Sequence, residues 1–175
     1  MMSKKIELIE AASRVILKSG VHSLTLEAVA IEAEVSKGGL LYHYASKDDL
    51  IKAMNMYVTD QFRDFIEDEF KEGMSYHQAY LRATLRSLRE INYINISTSM
   101  LAAISNNRDI LQLWREEYEV INDKLTKENY PREHTLMVHA ICDGIWFSNL
   151  FNMPHIGAQD AERLVAYMLD VLEAA

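Results

Sequence analysis

Two apolar segments of about two helical turns each, residues 26–33 and 37–43, stand roughly three residues apart, and helices so short cannot persist alone. Each opens on a capping residue, Thr25 before Leu26-Glu27-Ala28-Val29-Ala30 and Ser36 before Lys37-Gly38-Gly39-Leu40-Leu41-Tyr42-His43-Tyr44. A side-chain oxygen at that position accepts a bond from a first-turn amide that no helical carbonyl can reach. Ala30 is small where the second helix must come close, and Val29, Val35 and Leu40 supply the apolar contacts that set the crossing of a helix-turn-helix. The pair needs a third helix to close a core. Residues 4–19 provide it, with Ile6, Ile9, Ser13 and Ile16 along one stripe and Leu8, Ala12 and Val15 beside it. Gly20 follows at once and suits the left-handed residue that ends helices.

Ser46 caps a fourth helix, with Asp48 and Asp49 placed against its N-terminal dipole, and the pattern runs unbroken to about Glu69 through Leu50, Met54, Tyr57, Val58, Phe62, Phe65 and Ile66. Further helices are expected at about 76–91, 95–105, 109–129, 132–152 and 159–174, punctuated by Gly73, Asn106-Asn107, Pro131, and Pro154 with Gly157. With 2 prolines and 6 glycines in 175 residues, and no strand-like alternation, the expected fold is all-α with nine helices.

Several classes are disfavoured. No apolar run approaches the roughly 18 residues that span a bilayer, and Glu7 falls where a signal peptide carries its apolar stretch, so a cytoplasmic protein is expected. Cys142 is the sole cysteine, which excludes an internal disulfide and a cysteine-based metal site. His134 and His139 are five apart, off the spacing of four that aligns two ligands on one helix face. His22, His77 and His155 lack partners in metal-like spacing, so neither metal nor cofactor is expected. The rival class is a small helical enzyme, but no nucleophile elbow, phosphate loop or acid–base pair is visible. The net charge of −8 argues against nucleic acid until its distribution is read. Residues 1–52 hold seven Lys/Arg and seven Asp/Glu, leaving 11 against 19 in the remainder. The N-terminal third is neutral and the acidic charge lies beyond it.

The stretch Ile9-Glu10-Ala11-Ala12, Gly20, Leu24-Thr25-Leu26-Glu27-Ala28-Val29-Ala30 and Val35 through Leu50 resembles the tetracycline-repressor (TetR) family. The segment Asp143-Gly144-Ile145-Trp146 is similar to one branch of it. The resemblance implies a DNA-binding domain over residues 1–46 and a helical ligand-binding and dimerisation domain over 47–175. It implies that Thr25 caps its helix and meets a phosphate of an operator duplex. Ser36, Lys37, Gly39, Tyr42 and His43 face the major groove or its rims, and Lys47 meets a phosphate together with its backbone amide. Two residues depart from the family pattern: Glu34 stands where the turn usually has glycine, and Leu41 where an aromatic is common. Tyr44 is expected to pack inward and Tyr42 outward, since one helix cannot bury adjacent positions equally.

The function so implied is a sequence-specific, homodimeric transcription regulator, a repressor released by a small hydrophobic ligand. The alternatives are an activator, an orphan regulator without an effector, or an interaction module on a degenerate helix-turn-helix. An apolar pocket is expected to use Tyr57, Met100, Ile104, Trp114, Tyr118, Met137 and Trp146, with Arg82, Arg86 and Asp143 as inward polar groups. The dimer is expected to form through the last two helices. One offers Leu136, Ala140, Gly144, Phe147 and Phe151, the other Leu164, Tyr167, Met168 and Val171.

Overall fold

The computed structural model describes residues 3–70, 73–104 and 108–175, with all their side chains except those of 100–104 and 108–110. Among the described residues there are nine α-helices and no strand: α1 (Lys4–Ser19), α2 (Leu26–Glu32), α3 (Lys37–His43), α4 (Lys47–Phe70), α5 (Tyr76–Ser87), α6 (Ile91–Ile104), α7 (Arg108–Thr126), α8 (Arg132–Leu150) and α9 (Ala158–Glu173). A 3₁₀ turn, Val21–Ser23, links α1 to α2. The all-α expectation holds, and no described helix is long and apolar enough to cross a membrane.

One boundary differs from the sequence pattern. The helix expected over 76–91 ends at Ser87, and the next begins at Ile91 rather than near 95. The amides of Leu88 and Arg89 bond to the carbonyls of Leu85 and Arg86, three residues back, so the last turn tightens and the helix ends without glycine or proline.

The chain packs as two units. The first joins residues up to Thr59 with Asn92–Trp114. Here Leu8, Ala11 and Ala12 of α1, Val29 of α2, Leu40 of α3, and Leu50 and Met54 of α4 are fully buried. Leu40 is the only buried residue of α3, so truncating it to Ala should cost about 2–5 kcal/mol, comparable with the whole margin of a small domain. The Tyr44 hydroxyl donates to the Lys5 carbonyl at 3.3 Å. Glu32 of α2 accepts from Arg14 Nε at 2.8 Å and Lys18 Nζ at 2.9 Å of α1. Buried Asn55 donates to the Ile51 carbonyl and accepts from Trp114 Nε1, both at 2.8 Å.

The second unit joins Asp60–Ile91 with Arg115–Ala175 and is built on α5 against α8 and α9. Its core includes Leu81, Ala83, Val138, Cys142, Ile145, Val165, Met168 and Leu172. The start of α5 is doubly capped. Ser75 and Gln78 form a reciprocal capping box, and the Glu128 carboxylate accepts the amides of Tyr76 and His77. Glu128 also receives His77 Nδ1–H at 2.6 Å, because a carboxylate can only accept, and buried His77 presents Nε2 to the Thr135 hydroxyl at 2.9 Å.

Candidate nucleic-acid interface

The geometry of the interface begins with two caps. Thr25 Oγ1 accepts the Ala28 amide and Ser36 Oγ the Gly39 amide, each at 3.0 Å. Capping uses only a lone pair of each hydroxyl, so both exposed side chains keep a proton to donate outward. Between the helices, Glu34 takes φ +54°, while its amide bonds to the Ile31 carbonyl and the Val35 amide to that of Ala30. This pair of bonds is the Schellman closure of a helix, built here on a residue with a Cβ. The strained backbone expected from Glu34 is present.

Beyond Leu40, α3 faces outward. Tyr42 is 87% exposed, Leu41 42%, and Lys37, Gly38 and Gly39 are exposed as well. Tyr44 is buried, as helical rotation predicts. His43 is half-buried, its ring edge-on to Tyr42 at 5.1 Å. A Cβ at Gly39 would meet Ser36 Oγ at 3.3 Å, whereas one at Gly38 would meet nothing within 4 Å. Glycine at 38 thus weakens the helix with no demand from its own fold, and leaves bare backbone for a close outside surface.

The electrostatics favour this face. Arg14 and Lys18 are drawn to Glu32; the Lys18 ammonium, and next the Arg14 guanidinium, hold that carboxyl below the usual range. Lys37 lies 3.9 Å from Glu27, a loose pair with both partners mostly exposed, so its ammonium is easily diverted. Half-buried Lys47 opens α4, where Ser46 Oγ takes the Asp49 amide at 3.1 Å and donates to the Asp49 carboxylate at 2.7 Å. The first amides of α4 are left for an outside acceptor. Glu27 as a competitor for Lys37 was not read from the sequence, because the two meet only once α2 and α3 cross.

The expected pocket residues are scattered differently. Met100 and Ile104 lie outside the described side chains. Tyr57 and Trp114 are half-buried in the first unit, Trp114 bonded to Asn55. In the second unit the Tyr118 hydroxyl donates to Asp143 at 2.7 Å, and the His139 ring stacks on Tyr118 and meets Tyr80 edge-on. Burial pushes the His139 imidazolium toward the neutral form, opposed by nearby Asp143. Trp146 is half-buried and Met137 exposed. The inward placement of the arginines is corrected: Arg82 is exposed, and Arg86 lies at the surface over Phe65, paired with Asp68 at 3.0 Å. The inner face of α5 is instead Ala79, Ala83, Thr84 and Ser87.

The expected dimer residues mostly form outward apolar stripes. Leu136, Ala140, Phe147 and Phe151 on α8, and Leu164 and Tyr167 on α9, are exposed, while Gly144 and Val171 are half-exposed. The rings of Phe147 and Phe151 stack at 6.1 Å. Met168 is corrected: it is fully buried on the inner stripe of α9 with Ala161, Val165 and Leu172.

The chain Thr135–His77–Glu128 has the connectivity of a nucleophile, base and orienting carboxylate. Its hydroxyl and imidazole are buried, however, and its carboxylate is engaged by the first amides of α5. It is a clasp between helices. Among the described residues no group of three or more His, Cys, Asp or Glu is placed to hold a metal ion.

These features agree with the relatives of the chain. HTH-type transcriptional regulator BetI of Vibrio atlanticus is 25% identical over 180 residues, covering 95% of this chain and 90% of that protein. BetI of Yersinia pestis is 24% identical, covering 89% and 85%. Among solved structures, a TetR family member from Streptomyces coelicolor A3 superposes with a TM-score of 0.72 at 20% identity, covering 95% of this chain and 98% of that one. The multidrug binding protein EbrR complexed with malachite green superposes with 0.69 at 21% identity, with the same coverage. The family model for bacterial regulatory proteins of the tetR family matches residues 8–54, and that for the tetracyclin repressor-like C-terminal domain matches 74–173. A capped, outward-facing α3 within the first match and a helical body within the second have one reading: this DNA-binding transcription regulator belongs to the tetR family.

Proposed function

We propose that the chain is a ligand-responsive repressor that binds its operator as a homodimer. The observation that carries the reading is α3, anchored by Leu40 alone and exposing Lys37, Gly38, Gly39 and Tyr42. Thr25 and Ser36 donate their remaining hydroxyl protons to phosphates, and Lys47 with the first amides of α4 grips another. Tyr42, His43 and the bare backbone at Gly39 approach the base edges. Gly38–Gly39 leaves few side chains for direct reading, so duplex shape carries part of the specificity.

The outward apolar stripes of α8 and α9 join their symmetry mates in a four-helix contact, which sets the two α3 helices about 34 Å apart, one turn of DNA. A small hydrophobic or amphipathic ligand among the C-terminal helices shifts the spacing, by no more than its differential affinity for the two shapes. Asp143, held by Tyr118, takes over from the surface arginines as the polar group that orients it. That EbrR, similar in fold, is known with malachite green bound supports a flat apolar ligand.

A mobility-shift assay on the DNA upstream of the protein's own gene tests the proposal. Lys47→Ala should weaken binding to all sequences alike and reduce the salt slope by roughly one unit. His43→Ala should change sequence preference more than overall affinity. Retention of full affinity and slope in Lys47→Ala would remove that contact, and a wild-type chain that binds no duplex would remove the function.

A further inference from the structure

A polar cleft of about 110 Å³ opens between α1 and α6, within the unit that carries the DNA-reading helices. Its walls include Glu10, Ser13 and Arg14 of α1 and Asn92 and Asn95 of α6, with Leu17 and Ile96 as the apolar part. Ser13 lies on the buried face of α1, 2% exposed, and its Oγ meets no protein partner. Buried hydroxyls nearly always find one, so a hydroxyl left over in the wall of a polar cleft marks where an occupant bonds.

The charges narrow the occupant. Glu10 and Arg14 are one turn apart, the spacing at which a helix pairs opposite charges. They do not pair here. Glu10 Oε1 accepts Asn92 Nδ2 at 3.0 Å, and Arg14 Nε turns to Glu32 at 2.8 Å. A carboxylate oxygen and the terminal guanidinium nitrogens therefore stand about 6 Å apart at one mouth. A simple anion placed there meets Glu10, and a simple cation meets Arg14. A molecule with both charges a few ångströms apart satisfies both.

We infer that the cleft between α1 and α6 binds a small zwitterion of amino-acid size, its ammonium at Glu10, its carboxylate at Arg14, and its remaining hydrogen bonds at Ser13 and Asn95. The cleft admits a short aliphatic group beside Leu17 and Ile96 and nothing larger. The site is separate from the apolar pocket proposed above, and its test does not require DNA.

Calorimetric titration of the full chain with L-alanine, propionate and ethylammonium tests it. L-alanine should bind saturably with a dissociation constant of about 1 mM, and each half-charged analogue about tenfold more weakly. Ser13→Ala should lower the L-alanine affinity about tenfold while leaving the melting temperature of the unliganded protein unchanged or higher, since an unbonded buried hydroxyl is removed. Exposed Asn95→Ala should lower the affinity with no effect on folding, and serves as the deciding variant if Ser13→Ala is less stable. Absence of saturable heat, equal binding of propionate or ethylammonium, or full affinity in Asn95→Ala would each overturn the assignment.

Discussion

Replacing Glu34 with glycine should stabilise the protein, because the turn between α2 and α3 holds a residue with a Cβ at φ +54°. An L-residue in the left-handed region costs about 1–2 kcal/mol through contact of its Cβ with the following carbonyl. Glycine removes that cost but loses more chain freedom on folding, which returns about 0.5–1 kcal/mol. The net gain is about 0.5–1 kcal/mol. For 175 residues this corresponds to a rise of roughly 1–4 °C in Tm, read by scanning calorimetry at one protein concentration. The bonds from Glu34 to Ile31 and from Val35 to Ala30 involve backbone only, so the turn survives the change. Glu34→Ala is the control: it removes the charge and keeps the Cβ, and should not raise Tm. If Glu34→Ala stabilises as much as Glu34→Gly, the gain comes from charge and the strain argument is refuted. Asn152, at φ +49° after α8, should gain less from glycine, since asparagine tolerates this region.

Three further outcomes are expected. The folded state depresses the Glu32 carboxyl, so its contribution to stability is present above the unfolded value and lost as pH falls through the folded one. Denaturation curves of the native chain and Glu32→Gln should therefore converge toward acid pH, and a constant gap would contradict this. Burial pushes the Cys142 thiol up to about 12 against the hydrogen bond from Thr84, so iodoacetamide should label it at neutral pH only as the protein opens. Prompt stoichiometric labelling of native protein would show otherwise. Phe151→Asp on the outer stripe of α8 should convert a sedimenting dimer to a species near 20.2 kDa, and a native chain that already sediments there would end the dimer proposal.

What was legible in the sequence was local. Thr25 and Ser36 announce their helices because a cap bonds only two or three residues ahead, and Tyr42 and Tyr44 separate because 100° of rotation divides neighbours. The phase of α5 was hidden because its inner face is Ala79, Ala83, Thr84 and Ser87, small residues that do not advertise a core, so Arg82 and Arg86 were free to be turned the wrong way. Met168 was misplaced by one step around α9, where buried Val165 and Leu172 set the inner stripe. The break at Leu88 carries no glycine or proline to announce it. Glu128 and His77 are 51 positions apart, and no periodicity links them.

The clasp at the start of α5 bears on how such a protein can drift. Glu128 serves two amides and an imidazole, and that imidazole serves Thr135. Losing Glu128 orphans three donors in one step, and losing His77 strands a carboxylate charge and a hydroxyl, each at about 1–3 kcal/mol. Because these penalties overlap on shared partners, they do not add, and a second change can be nearly free once the first is made. The trio should therefore behave as one heritable unit, with intermediates less fit than either end. Among descendants of this chain, positions 77, 128 and 135 are expected to be kept together or exchanged together.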